Sequence, residues 1–220
     1  MNKKLIIDFD STFVKSEGLE ELAALVLAER SDRDELLEKI SAVTNRGMNG
    51  ELNFTESLRE RLAFIPASKK QVLDLADKLK SQVSDSFLRN KKFFSENSEN
   101  IYFFSGGFKD FILPVLLDFG VREENIYANT FVYNHNDEVV GFDENNFLSM
   151  PGGKVKMLRA LDLEGELIVV GDGYTDYEMR EAGLAHQFIA FTENVQREKV
   201  IARADLVADN IEKVLAVWKS

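Results

Sequence analysis

Two aspartates stand two residues apart in Asp8-Phe9-Asp10-Ser11-Thr12, directly after a short apolar run. In extended backbone, residues i and i+2 face the same side, so both carboxylates can converge while Phe9 turns into apolar surroundings. A convergent pair can divide labour: one carboxylate stays ionised as nucleophile or metal ligand, and the other, its pKa raised by its neighbour, carries a proton. A further acidic group lies in Gly171-Asp172-Gly173-Tyr174-Thr175-Asp176. Its glycines permit a sharp turn and close approach to a ligand, and Asp172 and Asp176 offer the oxygen donors that Mg²⁺ takes. Thr175 or Asp176 equally suits the cap of a following helix. Five specified residues at this spacing arise by chance on the order of 10⁻⁴ times per chain.

Ser105-Gly106-Gly107 sets a hydroxyl and backbone N–H groups between an apolar run and a helical pattern, an arrangement that suits an anion and also a plain turn. Lys154 follows Pro151-Gly152-Gly153 and opens another helical pattern. A cation there opposes the helix dipole, which leans slightly towards a functional reason, although a lone lysine at such a place is more often simply solvated. A nucleophile, an acid/base, a cation site, and a hydroxyl with an ammonium for phosphate oxygens make up the parts of phosphoryl transfer.

These residues need elements to position them. Residues 5–9, 101–104, 126–128, 130–133, 139–142, 167–170, 188–191 and 206–207 read as strands. Helical spacing covers 108–119, 154–161, 177–182, 195–202 and 211–218. Between the first two strands, 17–29, 32–44, 55–64 and 68–83 read as amphipathic helices, with Ser68 after Pro66 as an N-cap. The polar stretch 95–100 reads as a loop. Alternating strands and helices predict an α/β, doubly wound, Rossmann-like parallel sheet with a small helical cap inserted after the first strand. The core is expected over 1–14 and 86–220 and the cap over 15–85. Open α/β sheets hold ligands beyond the carboxyl ends of their strands, where three of the acidic and hydroxyl groups fall.

The 220 residues carry a net charge of −11 and no cysteine. The acidity argues against binding of nucleic acid or an anionic membrane, and thiolate chemistry is excluded. Apolar runs of five or six residues are far short of the roughly 20 of a membrane span, so a cytoplasmic location is expected. His135 and His186 lack partners at metal spacing and read as structural. The 17 Phe read as core packing.

On these motifs the chain resembles a haloacid-dehalogenase-superfamily phosphatase, and within that superfamily the phosphoserine phosphatases. The four motifs match at Asp8–Thr12, Ser105, Lys154 and Gly171–Asp176. The likeness continues through Glu17-Gly18-Leu19-Glu20-Glu21-Leu22 and Gly47–Phe54, with Leu58 and Arg61-Leu62. It implies Asp8 as the nucleophile of an aspartyl-phosphate and Asp10 as acid and then base. It implies Mg²⁺ on Asp8, the Asp10 carbonyl and Asp172, with Asp176 adjacent, and phosphate binding by Ser105, Gly106, Lys154 and Thr175. For phosphoserine it implies Glu17 for the ammonium, Arg61 for the carboxylate, and Met48 and Phe54 as apolar walls. Read locally, Glu17 also suits a first-turn helix acid, Arg61 a partner for Glu on its own helix, and Met48 and Phe54 cap core. Asn49, Asn53 and Tyr174 depart from the family pattern. Another small phosphometabolite, a different phosphoryl acceptor, or a non-catalytic phosphate-binding protein are the competing expectations.

Overall fold

Parallel strands covered on both faces read as continuous apolar runs. The runs above form such strands in the computed structural model, which describes residues 3–48 and 51–220, the side chains of Asn45, Gly47 and Met48 excepted. The strands are β1 (Lys3–Ile7), β2 (Ile101–Phe108), β3 (Ile126–Asn129), β4 (Phe131–Tyr133), β5 (Val139–Phe142), β6 (Glu166–Gly171), β7 (Gln187–Phe191) and β8 (Leu206–Ala208). Six of them make one sheet in the order β3-β2-β1-β6-β7-β8, and β4 and β5 make a separate hairpin. Every pairing in the large sheet is parallel, while the hairpin is antiparallel. The chain builds outward from β1 to β3 on one side and from β6 to β8 on the other. The strand order therefore reverses at β1 and β6, where a crevice opens at the carboxyl ends.

Alternate residues serve opposite faces. Leu5, Ile7, Phe103, Ile168, Val170 and Ile189 face one core layer. Ile6, Phe104, Val169 and Phe188 face the other. Between β1 and β2 lie the helices α1 (Gly18–Val26), α2 (Arg33–Met48), α3 (Phe54–Leu62), α4 (Lys69–Lys80), α5 (Asp85–Arg89) and α6 (Lys91–Glu96). After β2 come α7 (Lys109–Asp118), α8 (Gly153–Leu161), α9 (Tyr174–Glu181), α10 (Glu198–Ile201) and α11 (Ile211–Lys219). Asn53 and Ser68 close capping boxes with Glu56 and Gln71, which fix where α3 and α4 begin. The phenylalanines pack as expected: Phe13 meets Phe87, Phe94, Phe103 and Phe119 edge-on at 4.8–6.3 Å.

Several sequence expectations are corrected. Residues 95–100 are not a plain loop, since α6 ends at Glu96 and a 3₁₀ turn spans Ser98–Asn100. Helix α9 starts at Tyr174 rather than 177, because the Asp176 carboxylate accepts from Gly173 N at 3.1 Å and caps the helix there. Helix α10 is confined to four residues, since Glu193, Asn194 and Arg197 turn their side chains to distant partners instead. Ser105, Gly106 and Gly107 belong to β2 itself, whose register against β3 shifts between Phe104 and Phe108.

The two chain passages into and out of the insertion run together. Val14 bridges Val83, Lys15 N donates to Gln82 O at 2.9 Å, and Ser84 N donates to Phe13 O at 2.9 Å. At its other end the insertion meets the β4–β5 hairpin, with Val139 N donating to Ala67 O at 2.9 Å and Lys69 N to Asp137 O at 2.8 Å. Among the described residues no helix is long and apolar enough to cross a membrane.

Candidate active site

The carboxyl end of β1 delivers Asp8, and a tight turn over Phe9–Phe13 then reverses the chain, with Ser11 at φ 53° in the left-handed region. Asp8 Oδ1 accepts from Phe9 N at 2.8 Å and lies 2.7 Å from Lys154 Nζ. The same ammonium lies 2.6 Å from Asp176 Oδ1. Lys154 is 7% exposed and Asp176 1%, so this triplet is desolvated. Burial pulls the Lys154 ammonium down, but Asp176 and Asp8 outweigh it and hold it above its ordinary range. Burial and Asp176 push Asp8 well up, with Lys154 opposing them.

Asp172 extends from the end of β6. Its Oδ1 accepts from Thr12 Oγ1 at 3.1 Å and its Oδ2 from Arg197 Nε at 2.8 Å. Ligand oxygens of Asp8, Asp172 and Asp176 all lie within 4.8 Å of one another. An all-carboxylate, largely buried donor set holding more negative charge than Lys154 neutralises suits a hard divalent cation. The Asp10 carboxylate stays outside this cluster. Its Oδ1 accepts from Gly18 N at 2.7 Å and its Oδ2 from Ser105 Oγ at 3.3 Å. Burial first, and Glu17 second, push Asp10 up to about 7, against the donors Gly18 and Ser105.

Ser105 is buried at 1%, and its hydroxyl is occupied by Asp10 and by Gly107 N, which donates to it at 2.9 Å. Gly106 and Gly107 are glycines for want of room. A Cβ on Gly107 would lie 2.8 Å from Asp10 Oδ2, and one on Gly106 would lie 3.0 Å from the Phe54 ring. Phe54 thus rests on the β2 end from the insertion side.

Asp8, Asp10, Gly106, Lys154, Asp172 and Thr175 share one cleft of about 1140 Å³ with Glu17, Phe54 and Arg61. Glu17 Oε1 accepts from Ser11 Oγ at 2.6 Å. Arg61 makes no ion pair among the described residues, and burial holds its guanidinium below the ordinary range, with Glu20 and Glu17 opposing. Met48 ends α2, its side chain outside the described residues, as is all of Asn49. Tyr174 stands 43% exposed at the cleft wall beneath the Arg203 guanidinium. His186 Nδ1 accepts from Leu167 N at 3.1 Å. Arg197 escaped the sequence reading. It sits between Asp172 and Glu17, whose Oε1 is 3.9 Å away, and no local motif marks it.

No family model matches the chain. Individual proteins do. The chain is 33% identical over 211 residues to the chloroplastic phosphoserine phosphatase of Arabidopsis thaliana, covering 94% of this chain and 69% of that one. It is 31% identical over 196 residues to the phosphoserine phosphatase of Homo sapiens, covering 88% and 83%. Among solved structures, a phosphoserine phosphohydrolase-like protein from Francisella tularensis superposes with a TM-score of 0.83 at 31% identity, covering 98% of this chain and 99% of that one.

Proposed function

Because the chain belongs to the phosphoserine phosphatase family of haloacid-dehalogenase-type phosphatases, we propose that it hydrolyses O-phospho-L-serine to L-serine and phosphate through an aspartyl-phosphate on Asp8. The observation that carries this reading is the unequal seating of its first two aspartates. Asp8 lies against the Lys154 ammonium at 2.7 Å, whereas Asp10 meets only the neutral donors Gly18 N and Ser105 Oγ. Two carboxylates with such different partners suit two different roles.

Asp8 Oδ1 is held by Phe9 N and Lys154, which leaves Oδ2 to attack phosphorus. As the Asp8–phosphorus bond forms, the ester oxygen leaves and takes a proton from Asp10, whose position near 7 suits a general acid at neutral pH. Asp10, now ionised, accepts a proton from the water that attacks the phosphoryl group, and Asp8 departs as a free carboxylate. Lys154, with the Ser105 hydroxyl, the Gly106 N–H and the Thr175 hydroxyl, is assigned to the phosphoryl oxygens, and Ser105 also donates to Asp10. Asp8, Asp172 and the Asp10 carbonyl, with Asp176 adjacent, would hold Mg²⁺, which supplies charge neutralisation for the nucleophile and the phosphoryl group.

Glu17 is assigned to the substrate ammonium and Arg61 to its carboxylate, with Met48 and Phe54 as apolar walls. Residues 15–85 act as the cap, and 1–14 with 86–220 as the core. The test is phosphate release from a panel of phosphorylated metabolites with Mg²⁺, run beside Asp8→Asn. Phosphoserine turnover by wild type and none by the variant is expected. Preference for a different phosphomonoester would keep the chemistry and overturn the substrate, whereas equal silence of both proteins would overturn the enzyme.

A further inference from the structure

The loop from Glu193 to Arg197 sends three polar side chains to three separate places, one of them the site. Glu193 Oε1 accepts from Ser86 N at 3.0 Å, and its Oε2 from the Ser86 hydroxyl. Arg197 holds Asp172. Between them, Asn194 Nδ2 lies 3.2, 3.0 and 3.2 Å from the carbonyl oxygens of Ser11, Thr12 and Val14, and 2.7 Å from Ser84 Oγ. Carbonyl oxygens only accept, so the group facing them is the amide NH₂, with two hydrogens shared among four oxygens. Ser84, fully buried, turns its own hydroxyl toward Thr12 O and Phe13 O at 3.0 Å each.

One amide therefore joins the outgoing passage at Ser11–Val14, the returning passage at Ser84 and the loop after β7. Three carbonyls aimed at one point repel one another unless a donor sits there. The strained residue Ser11 is among them. The segment so held is also the one that sets the chemistry. Ser11 follows Asp10 directly, its hydroxyl donates to Glu17, and the Thr12 hydroxyl donates to Asp172.

Building on the reading of the site given above, we infer that Asn194 is a positioning residue for phosphoryl transfer. It holds the turn after Asp10 and both passages of the cap in one arrangement by donating to their inward-facing oxygens, and it does not touch substrate.

The test compares Asn194→Asp with Asn194→Ala. Aspartate keeps the shape but puts a carboxylate oxygen against four oxygens, while alanine leaves room for a water that can donate. The expected order is thus the reverse of a packing role. Turnover of phosphoserine should fall about 100-fold in Asn194→Asp and roughly 10-fold in Asn194→Ala, with KM moving less than about threefold, the scale of a small misplacement of a reacting group. In the unliganded proteins, amides of 11–16 and 82–86 should exchange hydrogen faster in both variants, with β1 and β6 unchanged. An aspartate variant as active as wild type, or an alanine variant worse than it, would overturn the inference. So would unchanged exchange in both passages. Should Asn194→Asp not fold, Asn194→Ala carries the exchange test. Should wild type ignore phosphoserine, the substrate reading fails and hydrogen exchange still decides the clamp.

Discussion

Replacing Lys154 with methionine removes one charge and little volume from the most desolvated part of the site. In the metal-free protein this ammonium is the only cation within 4.0 Å of Asp8 and Asp176 among the described residues. Two carboxylates at the 4.8 Å limit that bounds this cluster repel by about 3.5 kcal/mol at an effective dielectric of about 20. Breaking a buried ion pair costs about 3–5 kcal/mol for the same reason. Equilibrium urea unfolding in chelator at pH 8 should therefore show Lys154→Met less stable than wild type by about 3–5 kcal/mol. The loss should shrink towards pH 5. Burial already raises Asp8 and Asp176, and without the lysine they rise further, so that at lower pH a proton replaces the missing charge. A divalent cation should restore more stability to the variant than to wild type, where saturation at 100 times Kd adds about 2.7 kcal/mol. A loss below about 1 kcal/mol, flat with pH, falls in the range of an exposed pair and would refute the claim that Lys154 neutralises a desolvated cluster.

Asp10 gives a pH signature of its own. Its pKa is raised in the folded state to about 7 from an ordinary 3.8, so the folded protein binds the extra proton and stability falls as pH rises through that interval. At 1.36 kcal/mol per unit the fall is up to about 4 kcal/mol, and in chelator Asp10→Asn should abolish it; parallel pH profiles of wild type and variant would contradict the assignment. Arg61→Ala should raise KM for phosphoserine far more than for a phosphomonoester lacking the amino-acid carboxylate, and equal losses in steady-state assays with the two would remove Arg61 from substrate recognition.

The sheet and the principal site residues were legible for a common reason. Buried parallel strands need unbroken apolar runs, and the chemistry sits where those runs stop, so Asp8, Ser105 and Asp172 are marked by position as well as type. Capping chemistry made Ser68 equally plain. The rest is written in contacts between residues far apart along the chain. Asn194 and Arg197 act on residues 110 to 183 and 25 positions away, and their own stretch, with Val195 and Ala202 seven residues apart, advertises a longer helix than forms. The strand character of Ser105–Gly107 was hidden because two glycines read as a turn, whereas here they make room for Asp10 and Phe54.

Helix α4 starts where the β4–β5 hairpin grips Ala67 and Lys69, and ends just before the paired passages at Val83 and Ser84. Its 12 residues span about 18 Å and pack along α7 of the core. Two attachments define one axis, and α4 lies along it like a hinge pin. A rotation about that axis would lift α2 and α3 away from the cleft while α4 stays seated. Among the described residues, the ties at the α3 edge against that rotation include Thr55 Oγ1 donating to Ser149 O at 2.7 Å and Arg59 pairing with Glu144 at 2.8 Å, beside the packing of Phe54 on Gly106. Phe54 and Arg61 would ride on the moving element, while Asp8, Asp10 and Lys154 stay fixed and Glu17, held by the Ser11 hydroxyl, stays with them.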